Sequence, residues 1–191
     1  MKHNIIFMLI KLIFLISSGS SDDLKLFSGS PAGPYRLVIK QVSNCNPTQN
    51  NKIQHNMYLR HRANSTFIYG NTTLEIPFDD TFFLEIKMAF KDSYGIWREN
   101  VFMHKSPKAC STLKKLLGKA WNAIANGYGI TKVDCPLLPG VYISPGMDAS
   151  LFEKANFPKT FFYGTYKFKM YQLRENEIFG CQNFVVGFKR P

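Results

Sequence analysis

Every second residue from Phe82 to Phe90 is large and apolar. Phe82, Leu84, Ile86, Met88 and Phe90 fall on one side of an extended chain, and Glu85 and Lys87 fall on the other. A period of two is the mark of a strand with one buried face. Residues 160–172 repeat the pattern. Phe162, Tyr166, Phe168 and Met170 share a side with Gly164, and Lys167 and Lys169 oppose them. Shorter runs of the same kind occupy residues 35–42, 57–62, 66–69, 74–78, 96–104 and 179–188. The run at 96–104 follows 82–90 through Asp92-Ser93-Tyr94-Gly95, which reads as a hairpin turn. Residues 44–51 and 144–157 read as loops, the second holding Met147, Leu151, Phe152 and Phe157. With 17 Phe and 9 Tyr, the chain favours strands.

The period changes once. Leu113, Leu116, Leu117, Ala120 and Ile124 recur at helical spacing, with Ser111 placed to start a helix and Gly127 to end it. The pattern therefore predicts a mainly β chain: an antiparallel β-sandwich or β-cup with one amphipathic helix over about 111–126. Two packed sheets need about this much apolar material. Composition does not say whether the layers close on each other or leave a cavity.

The N-terminus reads as a leader. Lys2 and His3 precede an apolar run at residues 5–16, broken by Lys11 and followed by small residues. Charged, apolar, then small is the order of a secretory signal, and the run is shorter than the ~20 residues that cross a bilayer. The expected organisation is a signal peptide at 1–20, a Ser-, Gly- and Pro-rich flexible segment at 21–34, and one β domain at 35–191. Export gives the four cysteines, Cys45, Cys110, Cys135 and Cys181, a disulfide reading with three possible pairings. It also makes the sequons at Asn64 and Asn71 usable for N-glycosylation. The expected location is extracellular, with the lysosome as the alternative.

The formal charge is +11, and +9 once Lys2 and Lys11 leave with the leader. The basic residues are scattered, so solvated strand faces come first and an anionic membrane surface second. No tight basic run calls for nucleic acid. No Cys-x-x-Cys pair or histidine spacing suggests a metal, and none is expected. No nucleophile elbow, phosphate loop or His-Glu-x-x-His motif is present, so the chain does not read as an enzyme and no cofactor is implied. Asp79-Asp80 reads as a turn, not as an acid/base pair.

Several local features resemble one family. Cys110 opens the helix, and Cys135 follows it within Cys-Pro-Leu-Leu-Pro-Gly-Val-Tyr. A loop ends in Asn156-Phe157-Pro158, Gly164 to Met170 reads Gly-Thr-Tyr-Lys-Phe-Lys-Met, and Cys181 lies in the last strand. The chain thus resembles the ML (lipid-recognition) domains, and among them the ganglioside activator and its arthropod secreted and chemosensory relatives. The resemblance spans roughly residues 35–190 and is most specific in the second half. It implies an immunoglobulin-like β-cup around an apolar cavity, with Cys45 paired to Cys181 and Cys110 to Cys135. It implies a lipid or another small apolar ligand, and a hydrolase or receptor to which lipid is presented. Phe82, Leu84, Ile86, Met88, Phe90, Phe162, Tyr166, Phe168 and Met170 would line or back the cavity. Leu151, Phe152 and Phe157 would form a rim or lid. The chain departs from the ganglioside activator in lacking further loop cysteines. Alternative readings are a secreted recognition or chemosensory ligand with a filled core, and a lipocalin-like carrier. Against the latter, Gly95-Ile96-Trp97 lies mid-chain and the helix falls between central strands.

Overall fold

The computed structural model describes residues 31–45, 51–63 and 65–191. The expected leader, most of the expected flexible segment and Asn64 lie outside the described residues. The elements in chain order are β1 (Ala32–Gly33), β2 (Arg36–Asn44), β3 (Ile53–Arg62), β4 (Ser65–Leu74), β5 (Phe83–Lys91) and β6 (Trp97–Pro107). Then come α1 (Ala109–Leu117), α2 (Trp121–Gly127), β7 (Gly140–Asp148), β8 (Phe161–Phe162), β9 (Gly164–Arg174) and β10 (Glu177–Lys189).

The strands build a sandwich. β6, β5, β9, β10 and β2 form the larger layer, and β3, β4 and β7 the smaller, each antiparallel. The layers part at a fork where β10 meets β3 in one parallel pairing, Gly180 with Ile53. On the far side the helical segment contacts β5 and β6 at its start and β7 at its end, closing the gap between the layers. The core is continuous between them, from Ile39, Val186 and Tyr166 in the larger layer to Ile53, Met57, Ile68 and Met147 in the smaller.

The β5–β6 hairpin turns as the sequence predicts. The Asp92 amide donates to the Ile96 carbonyl at 2.9 Å, the Asp92 carboxylate accepts from the Tyr94 and Ile96 amides, and Gly95 takes φ +81°.

Four boundaries differ from the expectation. The helix is not one piece: a 3-10 turn, Gly118–Ala120, separates α1 from α2. Asn156 causes the break. Its amide donates to the Leu116 carbonyl at 3.0 Å and its side chain to the Lys115 carbonyl at 3.2 Å, taking acceptors that a continuing helix would use. Gly118 adopts φ +54°, and a Cβ there would lie 2.2 Å from the Asn156 amide nitrogen. Ser111 does not cap α1 by itself. Asp80, from the turn before β5, accepts its amide at 2.8 Å and its hydroxyl at 2.5 Å. An anion at a helix start meets the exposed N–H groups and the positive end of the dipole. Those bonds hold the Asp80 carboxyl below the usual carboxylate range.

Residues 144–148 are not loop. They complete β7, where Pro145 and Gly146 sit at a register shift opposite Ile68 and Tyr69. The run at 160–172 is divided at Tyr163, whose amide donates to the Pro31 carbonyl at 3.0 Å. Phe162 therefore lies in β8, which pairs only with β1, and not in β9. Of the expected strand at 74–78, Leu74 ends β4 and Phe78 makes only an isolated bridge to Leu137.

Both disulfides lie at the fork end. Cys45 is bonded to Cys181, and Cys110 to Cys135. They close separations of 136 and 25 residues. On a chain-entropy account they remove about 5 and about 3.5 kcal/mol of unfolded-state freedom. The first ties β2 to β10 beside the fork. The second ties the start of α1 to the segment before β7.

Candidate functional site

The register of the larger layer brings most of the sequence-predicted apolar residues side by side. Ile86 faces Met170, Met88 faces Phe168 and Phe90 faces Tyr166 across β5 and β9. The rows continue into β10 and β2. Met170 meets Gln182, Phe168 meets Phe184 and then Val42, and Tyr166 meets Val186 and then Ile39. On β6, Phe102 stands beside Met88. Cross-strand pairs of this kind contribute roughly 0.2–1 kcal/mol each.

Along the strands this inner face has three zones. The first is an aromatic plug. Tyr166, 0% exposed, lies 5.2 Å from the Phe161 ring, 5.2 Å from Phe90 and 5.4 Å from Phe188. Tyr35 stands edge-on to Phe188 at 4.7 Å, and Phe162 flanks Phe161 at 6.4 Å. The Tyr166 hydroxyl has no hydrogen-bond partner, and burial pushes its pKa up.

The second zone is an apolar band. Ile86, Phe102, Phe168, Met170 and Phe184 point inward, yet each keeps accessible surface. Met88, in the same rows, is buried.

The third zone is polar and surrounds the fork. Gln172 pairs with Gly180 in register, and Gln182 lies two residues on. His55 stands two residues beyond Ile53 on the parallel neighbour, with its Nδ1 3.1 Å from the Thr72 hydroxyl. Tyr128 bonds Gln182. Gln172 Oε1, Gln182 Nε2, His55 Nε2 and Asn51 Nδ2 are buried without partners. Burial pushes the His55 imidazole down to about 4.

The remaining predicted residues fall around these zones. Phe82 and Leu84 are closed into the core beside the fork, Phe82 with the Arg174 guanidinium 4.0 Å over its ring. They and Tyr166 back the wall; they have no surface with which to line it. Phe152, expected at the rim, is buried, its ring 6.1 Å from Phe184. Leu151 and Phe157, its expected companions, are half-buried. Sequence reasoning missed Phe102, Phe184, Gln182 and His55. Phe102, Phe184 and Gln182 had a signal, since each lies within an expected strand. The placement of His55 beside Gln182 depends on pairing between distant segments.

The outer face of the same layer is basic. Lys87 and Lys169 are neighbours, Lys167 and Lys169 share Glu99 at 2.5 and 3.3 Å, and Lys167 lies 4.7 Å over the Trp97 ring. Asp79 and Asp80 serve turns: Asp79 accepts the Thr81 amide at 2.9 Å, and Asp80 holds α1. Among the described residues no group of three His, Cys, Asp or Glu is placed to hold a metal ion. Nor is any helix among them long and apolar enough to cross a membrane. An open groove of about 470 Å³ runs along residues 131–138 beside Cys135, and no apolar residue of the three zones reaches it.

No protein-family model matches this chain, and no match is found among curated proteins.

Proposed function

We propose that this is a secreted lipid-binding protein of the ML type, holding a lipid or other apolar ligand between its two layers. The carrying observation is the apolar band. Ile86, Met170, Phe168, Phe184 and Phe102 face inward in register and still keep accessible surface. Fully packed sandwich interiors leave little such surface. His55 adds support. Burial holds its imidazole below the usual histidine range, and its Nε2 is enclosed without a partner. An enclosed polar atom left unsatisfied fits the wall of an internal space.

Burying an acyl chain yields about 0.8 kcal/mol per methylene, so a long tail supplies affinity without polar contacts. The two disulfides fit an oxidising compartment. The basic outer face would hold the protein near anionic headgroups, weakly and with salt dependence. Presentation of the lipid to a hydrolase or receptor belongs to the same reading, and secretion alone would make the sequons at Asn64 and Asn71 usable.

Native mass spectrometry of gently purified protein tests it. Co-purifying lipid is the expected result. A clean ligand-free mass, under conditions that keep lipid on a known carrier, overturns the reading in favour of a filled-core recognition ligand.

A further inference from the structure

The outer face of the smaller layer differs from the rest of the surface. Its register places outward side chains in a three-by-three grid. Tyr58, Tyr69 and Pro145 form one row, Asn56, Asn71 and Ile143 the next, and Gln54, Thr73 and Val141 the third. No member carries a charge, in a chain of formal charge +11. Charges bound the grid at both ends. Arg60 lies 5.5 Å from the Tyr58 and Tyr69 rings, and Lys52 pairs with Glu75 at 2.7 Å. Val141 is 64% and Ile143 66% exposed, on the edge strand β7. An uncharged, partly apolar face left open to solvent is a site for self-association.

Asn71 occupies the centre of the grid and is the acceptor of the Asn71-Thr72-Thr73 sequon. We propose that an N-linked glycan on Asn71 is the occupant of this face, its first sugar lying over Ile143 and the Tyr58–Tyr69 pair. Ile143, 66% exposed, stands one strand spacing from the acceptor, and Tyr58, 47% exposed, lies on the diagonal. A pyranose ring has an apolar C–H face that packs on such surfaces, and its hydroxyls turn outward to water. The Asn56 side chain donates to Asn71 Oδ1 at 3.4 Å, a contact that does not engage the Asn71 amide nitrogen, the atom that an N-linked sugar bonds. The glycan covers an outer face that carries no charge of its own. This requires passage through a glycosylating compartment but not lipid binding, so it can fail or stand apart from the carrier reading.

The test uses the full chain secreted from a glycosylating host. Intact mass before and after glycan removal reads occupancy at Asn71. Sedimentation over a concentration series then compares wild type, Asn71→Gln and Thr73→Ala, with Asn64→Gln as the matched control. Both sequon variants at position 71 should self-associate at concentrations about tenfold lower than wild type. The Asn64→Gln protein should not. Trimming to a single N-acetylglucosamine should preserve the monomer, because the first sugar makes the contact. Adding Ile143→Lys to Asn71→Gln should restore it. An unoccupied Asn71, or sequon variants that sediment as wild type, overturns the proposal. So does association after trimming to one sugar.

Discussion

The two ends of the larger layer are held by different means. At one end Tyr35, Phe90, Phe161, Tyr166 and Phe188 pack ring against ring, with no covalent link. At the other, β10 leaves its layer for β3, and the region carries both disulfides and a group of unpartnered polar atoms. The plug has almost nothing to satisfy except the Tyr166 hydroxyl. The fork carries amide and imidazole atoms that burial penalises unless they find partners. A covalent tie offsets that penalty by reducing the freedom of the unfolded chain. Apolar packing thus suffices at one end, and cross-links are needed where polar groups are enclosed.

The comparison can be broken at either end. The largest effect should come from Cys45→Ser with Cys181→Ser, with a loss of about 5 kcal/mol in reversible denaturant unfolding. A loss below that of an average core truncation would show that the fork holds without its tie. Next is Tyr166→Ala at the plug. An aromatic side chain of this burial, 0% exposed, costs about 4 kcal/mol to truncate.

The fork should also respond to pH. Burial holds the His55 pKa at about 4, against about 6.5 in an unfolded chain. Between those values the unfolded chain takes up a proton that the folded chain refuses. The site's contribution is therefore complete above pH 6.5 and lost as pH falls towards 4, roughly 3 kcal/mol in all. Melting measured from pH 7 to pH 4 should show this slope, and His55→Gln should flatten it. The band between the ends should behave otherwise. Met170→Ala should cost only about 1–2 kcal/mol, because the residue is only partly buried, while lowering lipid retention about tenfold. A stability loss as large as that of Tyr166→Ala would mean a filled interior. Smallest is Tyr166→Phe. Removing an unpartnered hydroxyl should be neutral or stabilising by up to about 1 kcal/mol.

What the sequence made legible was local. The alternation through Leu84, Ile86, Met88 and Phe90, and that through Tyr166, Phe168 and Met170, named the inner face of two strands that do pair. The helix was legible as a period, but not its break, because Asn156 acts from about forty residues away. Pro145 and Gly146 disguised the end of β7, since both residues usually mark loops. The fork was invisible for a deeper reason. His55 and Gln182 become neighbours only through one pairing between β3 and β10, and no local pattern encodes a partner so far along the chain.

β10 borders β9 along its length, β2 over its second half and β3 at Gly180. It also follows every other described element in sequence. The larger layer therefore cannot be completed until β10 has been made, whereas β3, β4 and β7 of the smaller layer all precede it. β2 must wait through all the intervening residues for the strand that covers its edge and supplies the partner of Cys45. Such long-range closure is slow and leaves apolar strands exposed meanwhile. The protein's yield in a living cell should accordingly depend on how well chaperones and thiol oxidation are timed to that last strand, more than on the stability of the finished fold.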